Sequence, residues 1–410
     1  MTRFYRRRSL VYASVMLLLI LVVAACGGDE QESGGGDNKE TNETDRPNQL
    51  AFVLENEDDV WNLMVADADG SNQHVVAEDV DPYNRHFFSW TFLWSPDGNQ
   101  IAYINTIVAE GKQVLYVVDA DGSNRRSIAE DYFLGFPIWS PDSRRIAFYS
   151  DPADGPRLRN IIDADGSNHR TFEQEVFQNV WSPDGSMIAS SDSGDIYVTD
   201  NNGENARTLY ATDLISWELQ PVWSPDGSQI SFVLPGEDSD ELMVMDADGE
   251  NLHSVIVVDG IRDYLWSPDR NQLLYYNSGG IYIVDSDGTN QRDLSSENDS
   301  EVADNGIAWL PDGDEIVFSS FNSESFEFEF TLINVETGES QQLQLEVDGN
   351  TMLNGAQFNL SPDGRQLVMF GRDGDTLDTL GFYIMNIDGS NIHRIADAYD
   401  NTYIPVWRPH

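Results

Sequence analysis

Trp223-Ser224-Pro225-Asp226-Gly227 decides the fold, because the chain writes this word repeatedly at nearly constant spacing. The word also opens at Trp94, Trp139, Trp181 and Trp266. It decays to Trp309-Leu310-Pro311-Asp312-Gly313, then to Leu360-Ser361-Pro362-Asp363-Gly364, and ends as Trp407-Arg408-Pro409. Steps of 42 to 51 residues are the period of one supersecondary unit stacked in an array, and that range belongs to propeller blades.

The unit from 221 to 264 reads as four strands. Pro221-Val222-Trp223 is a short first strand; Ser224-Pro225-Asp226-Gly227 then offers Pro for the fixed φ of a turn and Gly for its left-handed position. Gln229 to Leu234 alternates apolar and polar residues as a second strand does, and Glu241 to Asp246 as a third. Asp246-Ala247-Asp248-Gly249 supplies Asp side chains to cap turn amides and Gly for a bulged hairpin. Leu252 to Val257 makes the outer strand. Four antiparallel strands form a blade.

The second word recurs in phase with the first. It stands at Asp67-Ala68-Asp69-Gly70, Asp119-Ala120-Asp121-Gly122, Asp163-Ala164-Asp165-Gly166, Asp200-Asn201-Asn202-Gly203, Asp285-Ser286-Asp287-Gly288, Glu336-Thr337-Gly338 and Asn386-Ile387-Asp388-Gly389. With the copy at Asp246 each word occurs eight times, which predicts an all-β, eight-bladed propeller over residues 49–410. The phase of the ends predicts how it closes. Gln49 to Leu54 reads as a second strand with no tryptophan word before it, and that word lies in Tyr403-Ile404-Pro405-Val406-Trp407. The C-terminal strand is therefore expected to join the first blade as its inner strand and remove the open edge.

These alternating words resemble the TolB-like, WD40-like β-propeller repeat, whose blades carry P-x-W-S-P-D-G and a strand ending in D-x-D-G. The resemblance covers residues 49 to 409. It implies a propeller and, by analogy with the family, a place in a cell-envelope assembly. The chain departs from TolB itself, which has six blades and an N-terminal α/β domain.

Ahead of the repeats, Arg3, Arg6, Arg7 and Arg8 form a basic segment, Leu10 to Ala25 an apolar run, and small residues precede Cys26. That is the order of a signal peptide, here residues 1–25. Val23-Ala24-Ala25-Cys26 resembles the lipobox of bacterial lipoproteins, which implies that Cys26 is the lipid attachment site and the new N-terminus. As the only cysteine, it excludes an intramolecular disulfide. Residues 26–48 read as an acidic flexible tether of Gly, Ser, Asn, Glu and Asp, with a span on the order of 25 Å. The expected location is extracytoplasmic, anchored to a bacterial membrane through that lipid alone.

The formal net charge is -48. Such a surface repels nucleic acid and anionic head groups, so neither is expected as a partner. The acid reads as a heavily hydrated surface, with diffuse attraction of divalent cations as the functional alternative.

No G-x-S-x-G, P-loop, H-E-x-x-H, C-x-x-C or dinucleotide fingerprint occurs, so no catalytic residues, cofactor or resident metal are expected. The D-x-D-G words lack the third ligand position and distant Glu of a calcium loop, and turn chemistry explains them. His74, His169, His253 and His393 follow such turns at the start of outer strands and read as edge residues. Most tryptophans belong to the repeated word and read as packing between blades. Phe326-Glu327-Phe328-Glu329-Phe330 alternates as a strand with one aromatic face.

With fixed words in two of the four loop sets, the other two share the opposite, variable face, where recognition normally lives. The candidate ligand-binding residues there are Arg85, Trp90, Tyr132, Trp217, Arg262 and Tyr399. Aromatic rings beside isolated arginines stack on sugars or grip peptides. We therefore expect a non-catalytic, envelope-anchored propeller that binds a protein, peptide or glycan. The alternatives are a glycan or peptide lyase or hydrolase built in the channel, and a structural part of an envelope assembly.

Overall fold

Each tryptophan word ends a short inner strand and starts a tight turn, and this pairing repeats around a ring. The structure, a computed structural model, describes residues 48–56, 60–80, 92–107, 111–153, 155, 157–172, 178–192, 194–212, 219–268, 271–295, 302–322, 327–345, 351–373, 380–398 and 404–409. Among them are eight sheets of four antiparallel strands. Seven blades are contiguous in sequence, with inner strands Phe92–Trp94, Phe133–Trp139, Gln178–Trp181, Val222–Trp223, Asp263–Trp266, Val302–Trp309 and Thr351–Leu360. These are blades 2 to 8. Blade 1 is composite: Gln49–Glu55, Trp61–Asp67 and His74–Ala77 are completed by Val406–Trp407 from the other end of the chain, paired as Leu50↔Trp407 and Ala51↔Val406. The predicted blade number and closure both hold.

The first word builds its turn from its own side chains. In blade 5 the Ser224 hydroxyl donates to Asp226 Oδ1 (2.7 Å) and accepts from the Gln229 amide (2.9 Å), while Asp226 Oδ1 accepts from the Ser228 amide (2.9 Å). Gly227 closes the turn at φ 71° and rests on Pro183 of the preceding blade. The same Ser–Asp bond recurs at Ser95–Asp97, Ser140–Asp142, Ser182–Asp184 and Ser361–Asp363.

The second word extends further than its sequence suggested. In blade 5, Asn251 Nδ2 donates to Asp246 Oδ2 (2.6 Å) and the Glu250 amide to Asp248 Oδ1 (2.9 Å). Asn251 takes the left-handed conformation at φ 53°, as do Asn72, Asn124, Asn168, Asn205, Asn290 and Asn391 in the equivalent turns. The working word is therefore D-x-D-G-x-N. Asn tolerates left-handed φ and its amide caps the first Asp, which is why it holds this place.

Burial acts to raise the Asp226 carboxyl, but the hydroxyl and amide donors of Ser224 and Ser228 outweigh it and hold the group below the ordinary carboxylate range. Asp97 and Asp184 are depressed in the same way. A carboxyl held below its unfolded-state value stabilises the fold fully above about pH 4 and loses that contribution as pH falls through the depressed value. The melting temperature is accordingly expected to be flat near neutrality and to drop in acid, and S224A should shrink the drop by releasing Asp226. Thermal melts from neutral pH into acid check this; a melting temperature that rises on acidification would refute it.

The core lies between neighbouring blades. Between blades 2 and 3, for example, Ile104, Leu115 and Val117 pack against Leu134, Trp139, Ile146 and Phe148. Each word tryptophan inserts into such a seam and, in five of them, its indole N–H donates to an inner-strand carbonyl of the preceding blade: Trp94 to Val406 (3.1 Å), Trp139 to Leu93 (3.3 Å), Trp181 to Ile138 (3.3 Å), Trp223 to Val180 (3.2 Å) and Trp407 to Asn359 (2.9 Å). Trp266 instead donates to Ser231 Oγ (2.8 Å), whose hydroxyl lies 3.3 Å from the Val222 carbonyl. Trp309 Nε1 is buried with no partner among the described residues. Between blades 7 and 8 the aromatic face of strand Glu327–Asn334 supplies the contact, with the Phe330 ring 5.9 Å from Phe358. That accounts for Phe328 and Phe330 of the alternating segment; Phe326 lies outside the described residues.

An outer set of contacts also joins the blades. His74 Nε2 lies 3.0 Å from the Ala120 carbonyl, His253 Nε2 2.8 Å from that of Ser286, and His393 Nε2 3.0 Å from that of Ala68, each in the next blade's second-word turn. Arg126 and Arg292 donate to the corresponding carbonyls of Ala164 and Glu336 (both 2.9 Å). His169 instead meets Asn160 Oδ1 within its own blade (3.0 Å). These histidines serve the scaffold, as their position at the start of outer strands suggested.

Candidate functional site

The two fixed words occupy the turns between first and second strands and between third and outer strands. The crossovers between blades and the turns between second and third strands therefore share the opposite rim. Of the residues expected to bind a ligand there, Tyr132 and Arg262 are described; Arg85, Trp90, Trp217 and Tyr399 lie outside the described residues, as do Cys26 and the tether up to residue 47.

Tyr132 and Arg262 hold the same place in their blades, the residue immediately before an inner strand, in blades 3 and 6. Blades 4 and 5 separate them, so they form no common cluster. Arg262 is half-buried, and its amide donates to the Tyr276 carbonyl (3.0 Å). The crossover beside it is fixed by the Ile261 amide, which donates to Asp240 Oδ2 (3.1 Å).

Tyr132 stands in a more elaborate setting. Its backbone is held from both sides: the Tyr132 amide donates to Asp131 Oδ1 (2.8 Å), and the Leu134 amide donates to Oε1 of the buried Gln113 (2.7 Å). Tyr132 is 51 % exposed, among the most exposed large apolar residues described. A fixed backbone carrying an exposed aromatic ring presents contact area at little entropic cost.

The next residues build a second layer. The Phe133 ring lies 5.8 Å from that of Tyr149, tilted by 35°. Tyr149 lies flat over Gly135, where an added Cβ would sit 2.1 Å from Cζ, so only glycine fits beneath the ring. The Arg157 guanidinium lies over the same ring, 4.4 Å from its centre. Asp151 grips that guanidinium through two bonds, Nε to Oδ1 (2.9 Å) and Nη2 to Oδ2 (3.2 Å), the planar fork matching the carboxylate. Asp151 pairs in register with Phe133, which returns the chain of contacts to the crossover. Beside it Lys112 Nζ bonds Glu130 Oε1 at 2.5 Å.

The inner strand bends here because Gly135↔Tyr149 and Ile138↔Ala147 leave one extra residue on its side. Pro137 lies in that interval and has no N–H to give the ladder, which favours a bulge. Sequence reading singled out Tyr132 and missed Gln113, Gly135, Tyr149, Asp151 and Arg157. One signal was available: Gly135 interrupts an apolar strand, which marks close approach of another group to the backbone. The match of Asp151 to Arg157 had none, because Asp151 ends one strand and Arg157 precedes the next, with nothing in their spacing to mark a pair.

The site's chemistry is that of contact. It offers one exposed aromatic side chain, a guanidinium and an ammonium each matched by a carboxylate, and a further carboxylate at Asp131. The second-word carboxylates elsewhere on the ring are spent on turn amides and hydroxyls, for instance Asp388 Oδ1 accepting from Ser390 Oγ (2.6 Å). Among the described residues no group of three or more His, Cys, Asp or Glu side chains is placed to hold a metal ion.

The description "TolB beta propeller domain" matches residues 47–213 and, overlapping, 83–270. Among solved structures the chain is similar to a eukaryotic initiation factor, at 13 % identity over 89 % of this chain and 99 % of that one, with a TM-score of 0.56. It is similar also to an oligogalacturonate lyase in complex with manganese, at 16 % identity over 74 % and 89 % of the two chains, TM-score 0.50. TolB from Acinetobacter baumannii aligns at 18 % identity over 88 % and 82 %, with a TM-score of 0.41. At such identities likeness between structures concerns the fold alone.

Proposed function

Since the chain belongs to the TolB β-propeller domain family, we propose that it is a non-catalytic binding module, tethered outside the cytoplasm by a lipid on Cys26, that holds an envelope protein, peptide or glycan on its variable face. The observation that carries this reading is Tyr132: a half-exposed ring on a backbone fixed by Asp131 and Gln113, backed by the Phe133–Tyr149–Arg157 stack. Rigid aromatic anchors of this kind are where binding energy concentrates in interfaces. The words that repeat around the ring are consumed by turns and seams, which leaves recognition to the residues that do not repeat.

The test uses the full chain. Expressed in a bacterium, it should fractionate with membranes, and C26S should not. In detergent solution, a ligand present at about a hundred times its Kd stabilises the folded state by about 2.7 kcal/mol. A panel of peptides, glycans and envelope extracts should therefore contain at least one component that raises the melting temperature of the wild type and not of Y132A. Turnover of a panel member by the purified protein would argue for a channel enzyme instead.

A further inference from the structure

We propose that the partner held at the Tyr132 crossover is a basic polypeptide segment, whose Lys or Arg side chain lies over the Tyr132 ring. This rests on the reading of that crossover as the binding site. Three observations converge on it. Tyr132 is 51 % exposed on a fixed backbone, so its side chain is accessible to a cation. The carboxylate of Asp131 stands next to it in the chain, and those of Glu130 and Asp151 nearby are taken up by Lys112 and Arg157. The neighbouring cations are already matched, Arg157 by Asp151 through both its oxygens and Lys112 by Glu130. Among the described residues nothing in this cluster offers an uncompensated positive charge to an anionic ligand.

The charge of the whole protein points the same way. At a formal -48 the surface repels uronates, phosphates and acidic peptides and steers cations toward it. Diffuse attraction alone would not choose a place. An aromatic ring supplies that choice, since a cation within about 6 Å of a ring centre gains from the ring quadrupole as well as from the adjacent Asp131 carboxylate. A polypeptide fits better than a bare cation because its apolar stem and backbone cover the rest of the ring.

The experiment is fluorescence anisotropy with the full chain and three labelled probes: a capped Lys-Ser repeat peptide, its Glu-Ser counterpart, and a neutral chitin oligosaccharide. It is run at low salt and at about 0.15 M, where the Debye length is about 8 Å. The Lys-Ser peptide should bind and persist at the higher salt, Y132A should weaken it roughly tenfold and Y132F should retain it. D131N, which keeps the oxygen that accepts the Tyr132 amide and removes the charge, should weaken it by a smaller factor. Equal affinity of the Lys-Ser peptide for wild type and Y132A would overturn the inference, the attraction then being diffuse. Tyr132-dependent binding of the Glu-Ser peptide or the oligosaccharide in place of Lys-Ser would overturn it while leaving the binding-module reading intact. Tyr132-independent behaviour of every probe and of the wider panel would remove both.

Discussion

A chain lacking residues 403–410 loses its cooperative unfolding transition. The deletion removes the inner strand of blade 1, and with it the pairs Leu50↔Trp407 and Ala51↔Val406. It removes contacts on both flanks as well. Trp407 Nε1 donates to the Asn359 carbonyl of blade 8 (2.9 Å), Asn359 Nδ2 donates to the Pro405 carbonyl (2.9 Å), and Trp94 of blade 2 donates to the Val406 carbonyl (3.1 Å). Beyond the strand, the Arg408 guanidinium lies over the Trp94 ring, 5.6 Å from its centre, and the Pro409 carbonyl presses on the Gly98 turn. Loss of a buried Trp side chain alone costs about 3–5 kcal/mol, against a total stability of about 5–15 kcal/mol for a typical domain. Here Ile404 and Val406 go with it, and Leu50 and Phe52 lose their cover. An opened ring also has two free sheet edges that invite association. Near-ultraviolet circular dichroism during heating measures the transition; a truncated protein melting as sharply, and as high, as the full chain would show that the clasp is dispensable.

Replacing Trp223 by Ala should cost about 3–5 kcal/mol, the largest loss expected from any single word residue. Trp223 is 3 % exposed in the seam between blades 4 and 5, among Val180, Leu219, Ile230 and Phe232. Its N–H is a separate contribution. In W223F the ring remains but the Val180 carbonyl loses its donor, a loss of about 1–2 kcal/mol for a buried acceptor. Trp309 supplies the internal control, because its buried Nε1 has no partner among the described residues and removing that donor relieves a cost. W309F should therefore be distinctly milder than W223F. Urea midpoints at unchanged m-value give the comparison; equal losses in the two variants would mean that the indole bonds contribute nothing beyond shape.

Much of this was legible in the chain because the propeller is written in short-range chemistry. A Ser-Pro-Asp-Gly turn bonds its own side chains, and strand alternation follows from the pleat, so both appear as local words. Counting them yielded the blades. The phase of Gln49–Leu54 against Trp407 yielded the clasp, since an inner strand missing at one end has to be found at the other. Reading was less complete where a word is longer than its obvious part: the Asn that completes seven of the eight second turns lies two residues past the Gly, and only its left-handed φ makes its purpose plain.

The site was legible only as a place. Variable loops on a scaffold mark the rim, and Tyr132 stood out there as an exposed-aromatic candidate. Its partners come from other strands. Gln113 comes from the preceding blade, while Tyr149 and Asp151 close the second strand and Arg157 enters the third. The sequence alone determined the all-β class, the number of blades and the way the ring closes, because each follows from interactions within about fifty residues or from the phase of a repeat. The tertiary structure decided which indole finds a carbonyl and which does not, why Gly135 has to be glycine, and which cations are already paired. Those depend on distances between side chains from different strands, and a spacing along the chain carries no record of them.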